Sequence, residues 1–261
     1  MKKFFLPLFL VSTLLMSCFE DNDDLTINTP TQGETELQLQ FHNQIGNQEV
    51  EIDDEPIYIN EQEETYSINF LKYIISNIVL IDENGMEYAY PEAESYFLIN
   101  QEEESSKNIN LDGIPTKKYS AIRFGIGVDQ SNYPLEGVDN FVPTAQENEM
   151  LWSWSAGYIF LKMEGFYNST QANNEVYRYH IGSHGEALDN YREVTLAFAE
   201  LLDLTHEDTT IPMALSITSD ISLIFDGENN MSLDAKSDIQ MDPENAPKVI
   251  ENFSKSFSVS Q

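Results

Sequence analysis

Two short stretches hold the residue types that could do chemistry. Met150-Leu151-Trp152-Ser153-Trp154-Ser155-Ala156-Gly157-Tyr158-Ile159-Phe160 contains both tryptophans of the chain, two residues apart. Tyr179-His180-Ile181-Gly182-Ser183-His184-Gly185 contains two of its four histidines, four residues apart with a glycine between them. On an extended strand Met150, Trp152, Trp154 and Tyr158 share one face, which suits a core strand packing large aromatics or an aromatic binding surface. His180 and His184 share a face only if the chain stays extended, and the glycines favour a turn. Two imidazoles near a turn suit copper or zinc. The Met150 thioether would add a soft ligand for copper(I). His42 alternates with Leu37, Leu39 and Phe41, which places it on the solvent side of a strand. His206, in the polar stretch Thr205 to Thr210, reads as a loop residue.

Other chemistries find less support. The sequence has no Gly-x-Ser-x-Gly elbow, no phosphate loop, no dinucleotide fingerprint and no His-Glu-x-x-His. With 45 Asp and Glu residues, pairs of carboxylates are guaranteed by chance and point to no glycosidase. The chain is therefore read as a non-enzyme. Its formal net charge of −32 repels phosphate backbones and anionic headgroups, which excludes nucleic acid as a partner. The acidic loop around Asp129 and Asp139 could take Ca²⁺, an ion that wants several carboxylate and carbonyl oxygens.

The N-terminus says where such a site would work. Lys2 and Lys3 precede an apolar stretch from Phe4 to Met16 and the box Leu15-Met16-Ser17-Cys18. That order is a lipoprotein signal peptide over residues 1–17, and the apolar stretch falls short of the roughly 20 residues a spanning helix needs. Cys18 is the only cysteine, so no internal disulfide can form, and its expected role is lipid attachment. The membrane is thus a partner through the acyl chains, several of which hold far better than one. Residues 18–35, with the run Glu20 to Asp24, read as a flexible acidic tether. The acidic run suits a surface-export signal or a solvated spacer. The expected location is the bacterial cell envelope, as an outer-membrane lipoprotein facing the periplasm or the surface.

Residues 36–261 are read as one domain, with 11% aromatic content across the chain to build a single core. Period-two alternation dominates and long amphipathic helical patterns are nearly absent. Strands are predicted at Leu37 to Phe41, Tyr66 to Tyr73, Ile74 to Ile81, Tyr88 to Tyr90, Tyr96 to Ile99, Ile109 to Leu111 and Tyr119 to Val128. Further strands are predicted at Trp152 to Met163, Val176 to Ile181, Val194 to Phe198 and Met213 to Phe225. Asp82-Glu83-Asn84-Gly85 signals a tight turn. Gln101 to Ser106 reads as an exposed loop, Asp129 to Met150 as a long irregular stretch beside which a site is expected, and Pro243 to Phe257 as a short closing helix. The fold class is all-β: an antiparallel sandwich or barrel-like domain with long loops and little helix.

Several of these segments resemble the MbnP-like proteins, a methanobactin-associated copper-binding family. The resemblance rests on Phe124-Gly125-Ile126-Gly127-Val128-Asp129, the Met150 to Phe160 stretch and His180-Ile181-Gly182, in that order. Leu71 to Leu80 and the ending Asn252-Phe253 to Phe257 are similar as well, so it spans about residues 36 to 258. It implies a β-rich exported domain that binds copper through histidine and a tryptophan oxidised to kynurenine by a di-haem peroxidase-like partner. Carried over, His180 matches the His-x-Gly histidine, and Trp152 or Trp154 the modifiable tryptophan. Many members carry four cysteines and an Asn-His pair, where this chain has only Cys18 and has Tyr133 after Asn132.

The resulting expectation is a lipid-anchored copper protein with His180 as ligand, Trp152 or Trp154 modified or packed at the site, and Met150 or His42 as further ligands. The competing expectation is a metal-free module binding a glycan or a protein, with Trp152, Trp154 and Tyr158 on an open face.

Overall fold

The computed structural model describes residues 33–129, 138–152, 157–184, 188–205 and 213–260. Cys18 and its signal peptide, almost all of the tether, Trp154 and His206 lie outside the described residues.

The alternation in the first segment becomes β1 (Glu34–Ile45), which buries Leu37, Leu39 and Phe41 and turns Gln38, Gln40 and His42 to the opposite face. It begins inside the stretch expected to be tether. Gly46, at φ +65°, leads into β2 (Gln48–Glu49). A small ribbon of β3 (Tyr58–Ile59) and β4 (Thr65–Tyr66) precedes the longest strand, β5 (Phe70–Asp82). The predicted tight turn follows. Gly85 sits at φ +78°, Asp82 Oδ1 accepts the N–H groups of Asn84 and Met86, and β6 (Glu87–Ala89) returns along β5.

Next come β7 (Tyr96–Asn100), β8 (Asn108–Pro115), β9 (Lys118–Ile126) and helix α1 (Val142–Glu147). They are followed by β10 (Leu161–Asn168), β11 (Glu175–Ile181), β12 (Arg192–Asp203) and β13 (Met213–Asp220). The chain ends with α2 (Leu223–Asp226), β14 (Asp238–Ile239), α3 (Ala246–Ser254) and β15 (Phe257–Ser260).

These strands form two sheets. In the first, β13 lies along one edge of β1, and β8 and then β2 along the other, with β15 outside β13. The second runs β12-β9-β5-β10-β11-β14, with β7 and β6 also paired to β5. The sheets meet through aromatic side chains. Phe41 of the first lies 6.5 Å from Tyr73 and 6.1 Å from Phe124 of the second, ring centre to ring centre and edge-on. Phe253 on α3 and Phe257 on β15 close the same cluster at 5.1 and 6.1 Å from Tyr73. Edge-to-face pairs of this kind add about 0.5–1.5 kcal/mol each beyond the burial of their area. Asn252, buried beside Phe253, donates to the carbonyls of Ile224 and Asn229 and accepts the Asn229 N–H, which ties α3 to the loop after α2.

The architecture is the expected all-β one, with several local differences. The runs Tyr66 to Tyr73 and Ile74 to Ile81 are not two strands but mainly one, β5, which changes register between Ser76 and Val79 at Asn77, φ 50°. β1 and β13 pair in parallel over Leu37 to Gln44, because β13 reaches β1 only after the chain has built the second sheet. Met213 to Phe225 breaks at Asp220, whose Oδ1 accepts from Ser222 N and Oγ and opens α2. Asp129 to Met150 contains α1, started by Pro143 in its first turn. Gln101 is not in an exposed loop: its side chain is buried and accepts from Asn43 Nδ2 at 2.9 Å.

Candidate metal site

The Trp152 to Met163 stretch is not a continuous strand. Residues 150–152 fold against 157–159, with Ile159 N donating to Met150 O at 2.8 Å and Leu151 bridging Tyr158. Gly157, at φ 150°, allows the close return, and β10 starts only at Leu161. Met150 and Tyr158 are fully buried, packed with Phe141 and Ala145 of the α1 region at one end of the second sheet.

Trp152 is buried beside them and meets both histidines of the second motif. Its ring centre lies 5.9 Å from that of His180 and 5.6 Å from that of His184. Gly182 makes this approach possible, since a Cβ there would strike the Tyr158 carbonyl and come within 3.1 Å of Trp152 Nε1. The loop that carries His184 is pinned around it. Ser183 Oγ donates to Asp189 Oδ1 at 3.0 Å, Asn190 Nδ2 to Gly182 O at 2.9 Å, and His184 N to Leu188 O at 2.9 Å. The Gly125 and Gly127 positions have a similar purpose, for the Tyr191 and Phe160 rings occupy the space their Cβ atoms would need.

Trp152 and His180 form part of the wall of an open cleft of ≈ 660 Å³, completed by Gln146, Glu149, Leu151, Ile159 and Gln240. Behind His180 runs a chain of charges. Its Nε2 lies 2.8 Å from Glu164 Oε1, Glu164 lies 3.6 Å from Lys162 Nζ and 3.9 Å from Arg178 Nε, and Lys162 Nζ lies 2.9 Å from Glu149 Oε2. The strands dictate this: in the β10–β11 register Lys162 faces His180 and Glu164 faces Arg178. The hydrogen bond with His180, helped by Lys162 and Arg178, holds the Glu164 carboxyl below the usual carboxylate range. Burial lowers the His184 pKa and favours the neutral imidazole that ligates metals.

The structure brings together His180 and Trp152 of the expected site residues, and adds His184. Met150 faces the interior and is not among the cleft residues. His42 lies on β1, in the other sheet, near Glu104. Trp154 lies outside the described residues. An open platform is not formed by Trp152 and Tyr158, both of which are buried because they pack into the α1 end of the core. Asp129 accepts from Asn77 Nδ2 at 2.7 Å and Asp139 is exposed just before α1, while residues 130–137 of the acidic loop between them lie outside the described residues. No group of three or more His, Cys, Asp and Glu gathers around one point among the described residues. The two imidazoles beside the indole are donors of a kind that would suit copper and would fill only part of its coordination sphere.

Spacing alone did not single out Glu164, sixteen residues before His180, because only strand pairing joins them. His184 carried a weak signal, the second imidazole of a glycine-containing motif. No helix among the described residues is long and apolar enough to cross a membrane. Among curated proteins none matches the chain. A solved structure, MbnP from Methylosinus trichosporium, is similar at 13% identity and a TM-score of 0.48, with 77% of this chain and 80% of that chain covered. The model of the MbnP family matches residues 34–243, a span that includes the tryptophan, the histidine motif and the charges behind them, and the chain belongs to that family.

Proposed function

We propose that the chain is an exported, lipid-anchored protein that binds copper in the cell envelope. The observation that carries this reading is the packing of the Trp152 indole against His180 and His184, with Trp152 and His180 at the wall of a cleft. Imidazole nitrogens suit copper, and membership of the MbnP family supports the same chemistry. Indole itself offers only an N–H donor. Oxidative cleavage of the indole C2–C3 bond of Trp152 or Trp154, with dioxygen or peroxide as oxidant at a di-haem peroxidase-like partner and C2 leaving as formate, would expose an aniline nitrogen and a carbonyl, adding donors where the two imidazoles leave the sphere incomplete. Cys18 would hold the acyl chains, so it could not also serve the metal, and copper would rest on donors of the folded domain.

Two measurements test this. Intact-mass spectrometry with peptide mapping of protein from the native host should find acyl chains on Cys18 and, at Trp152 or Trp154, the gain of one oxygen and loss of one carbon that kynurenine requires. Competition against a chromophoric copper(I) chelator should show binding that His180→Ala weakens by at least about tenfold, the scale of a perturbed ligand set. An unmodified chain that leaves all copper with the chelator would sink the reading.

A further inference from the structure

His180 has two ring nitrogens, and the fold determines which of them the cleft can use. Nε2 lies 2.8 Å from Oε1 of Glu164. An ionised carboxylate only accepts hydrogen bonds, and Glu164 has Lys162 Nζ at 3.6 Å and Arg178 Nε at 3.9 Å to keep it anionic. We propose that Glu164 is the positioning residue of His180: it accepts the Nε2–H and so leaves Nδ1 as the lone-pair nitrogen of a ring centred 5.9 Å from that of Trp152. The metal half of this inference rests on the copper reading above; the choice of nitrogen does not.

The arrangement is more than a chance surface contact. The His180 and Glu164 side chains are only 15% and 19% exposed, so water competes weakly for their hydrogen bond. Lys162, at 8% exposure, is held between Glu149 Oε2 at 2.9 Å and Glu164. An ammonium so buried needs carboxylate partners, and that requirement holds the Glu164 carboxylate at the same Oε1 that His180 meets, while Arg178 approaches its Oε2. Lys162 also reaches Glu149 on the wall of the cleft, a residue held at φ 59° just after α1. That left-handed conformation is uncommon for a residue with a side chain. The β10–β11 register places His180, Glu164, Lys162 and Arg178 without help from any loop. A carboxylate behind a ligating imidazole fixes its tautomer and ring orientation, and its loss commonly weakens metal binding 10–100-fold.

The test is a long-range ¹H–¹⁵N correlation spectrum of the metal-free full chain, labelled at histidine, for wild type and Glu164→Ala. The expected result is the Nε2–H tautomer of His180 in the wild type and a mixture of both tautomers in the variant. Copper(I) affinity of the variant, by chelator competition, should fall about 10–100-fold with little change in its melting temperature. If Glu164→Ala does not fold, Glu164→Gln keeps the shape while removing the charge, and the wild-type spectrum alone remains decisive. An Nδ1–H tautomer in the wild type, or a tautomer that ignores the variant, overturns the proposal. A wild type with the Nε2–H tautomer that binds no copper supports the positioning role and overturns the copper reading instead.

Discussion

Glu64 and Glu164 are two shielded carboxylates with opposite surroundings. Both oxygens of Glu64 are engaged by donors of the surrounding loops: Ser232 Oγ at 2.8 Å and Asp234 N at 2.9 Å on one, Leu233 N at 2.8 Å and Asn60 Nδ2 at 2.6 Å on the other. Two of these donors are backbone groups with no freedom to leave, so Glu64 staples the loop at 232–234 to the start of β4. Glu164 meets only side chains, those of His180, Lys162 and Arg178, and one of them lines a cleft. A carboxylate with both oxygens filled, and two of its donors fixed in the backbone, holds structure but cannot adjust. One surrounded by ionisable side chains at a cavity can orient a neighbour and respond to what binds there.

The largest expected effect follows from removing the staple. Glu64→Ala leaves buried N–H groups without an acceptor and should lower stability by about 3–4 kcal/mol, read as a shift in the urea midpoint at constant slope. Glu164→Ala should cost clearly less, because its partners keep Glu149 and solvent; equal losses at the two sites would erase the distinction drawn between them.

Gly182→Ala probes the second region directly. Its Cβ would meet a backbone carbonyl, which cannot rotate away, and crowd the Trp152 indole. A loss of about 1–3 kcal/mol is expected from overpacking, together with a changed Trp152 emission spectrum in a Trp154→Phe background. An unchanged spectrum would show that the indole does not depend on the glycine.

The smallest effect is one of pH. Burial pushes the Glu64 carboxyl up, but the hydrogen bonds from Asp234, Asn60, Leu233 and Ser232 outweigh it and hold the group below its ordinary value of 4.5. A depressed folded-state pKa contributes stability that is fully present above the unfolded value and lost as pH falls through the folded one. Below pH 4.5 the wild type should therefore lose stability more steeply than Glu64→Gln, and parallel curves for the two would assign the acid sensitivity to other carboxylates.

Much of this fold was legible in the sequence where one face is buried. The alternation of Leu37, Leu39 and Phe41 with Gln38, Gln40 and His42 gave β1 its faces, and Asn84-Gly85 gave the β5–β6 turn. Legibility failed where both faces are buried. Around Ile74, Ile75 and Ser76 the period-two signal vanishes, so one bulged strand reads as two runs. It failed again in the Trp152 to Phe160 stretch, where residues 150–152 pair with 157–159 and β10 begins only at Leu161. Short α1 carries Pro143 and too few apolar residues to show a helical period. At the site, His180 and Trp152 could be named from their types and from the resemblance. The carboxylate behind His180 could not, because register between distant strands is set by the whole sheet.

The parallel pairing of β1 with β13 has a mechanical side. Any tension that arrives through the N-terminal segment enters the domain along β1, which is hydrogen-bonded on both edges, to β13 on one and to β8 and β2 on the other. Ladder bonds lie roughly across the strand, so a pull along β1 loads them together in shear and does not peel them apart one at a time. A domain held from that end would be gripped by an interior strand of the first sheet, whereas the cleft residue His180 belongs to the second.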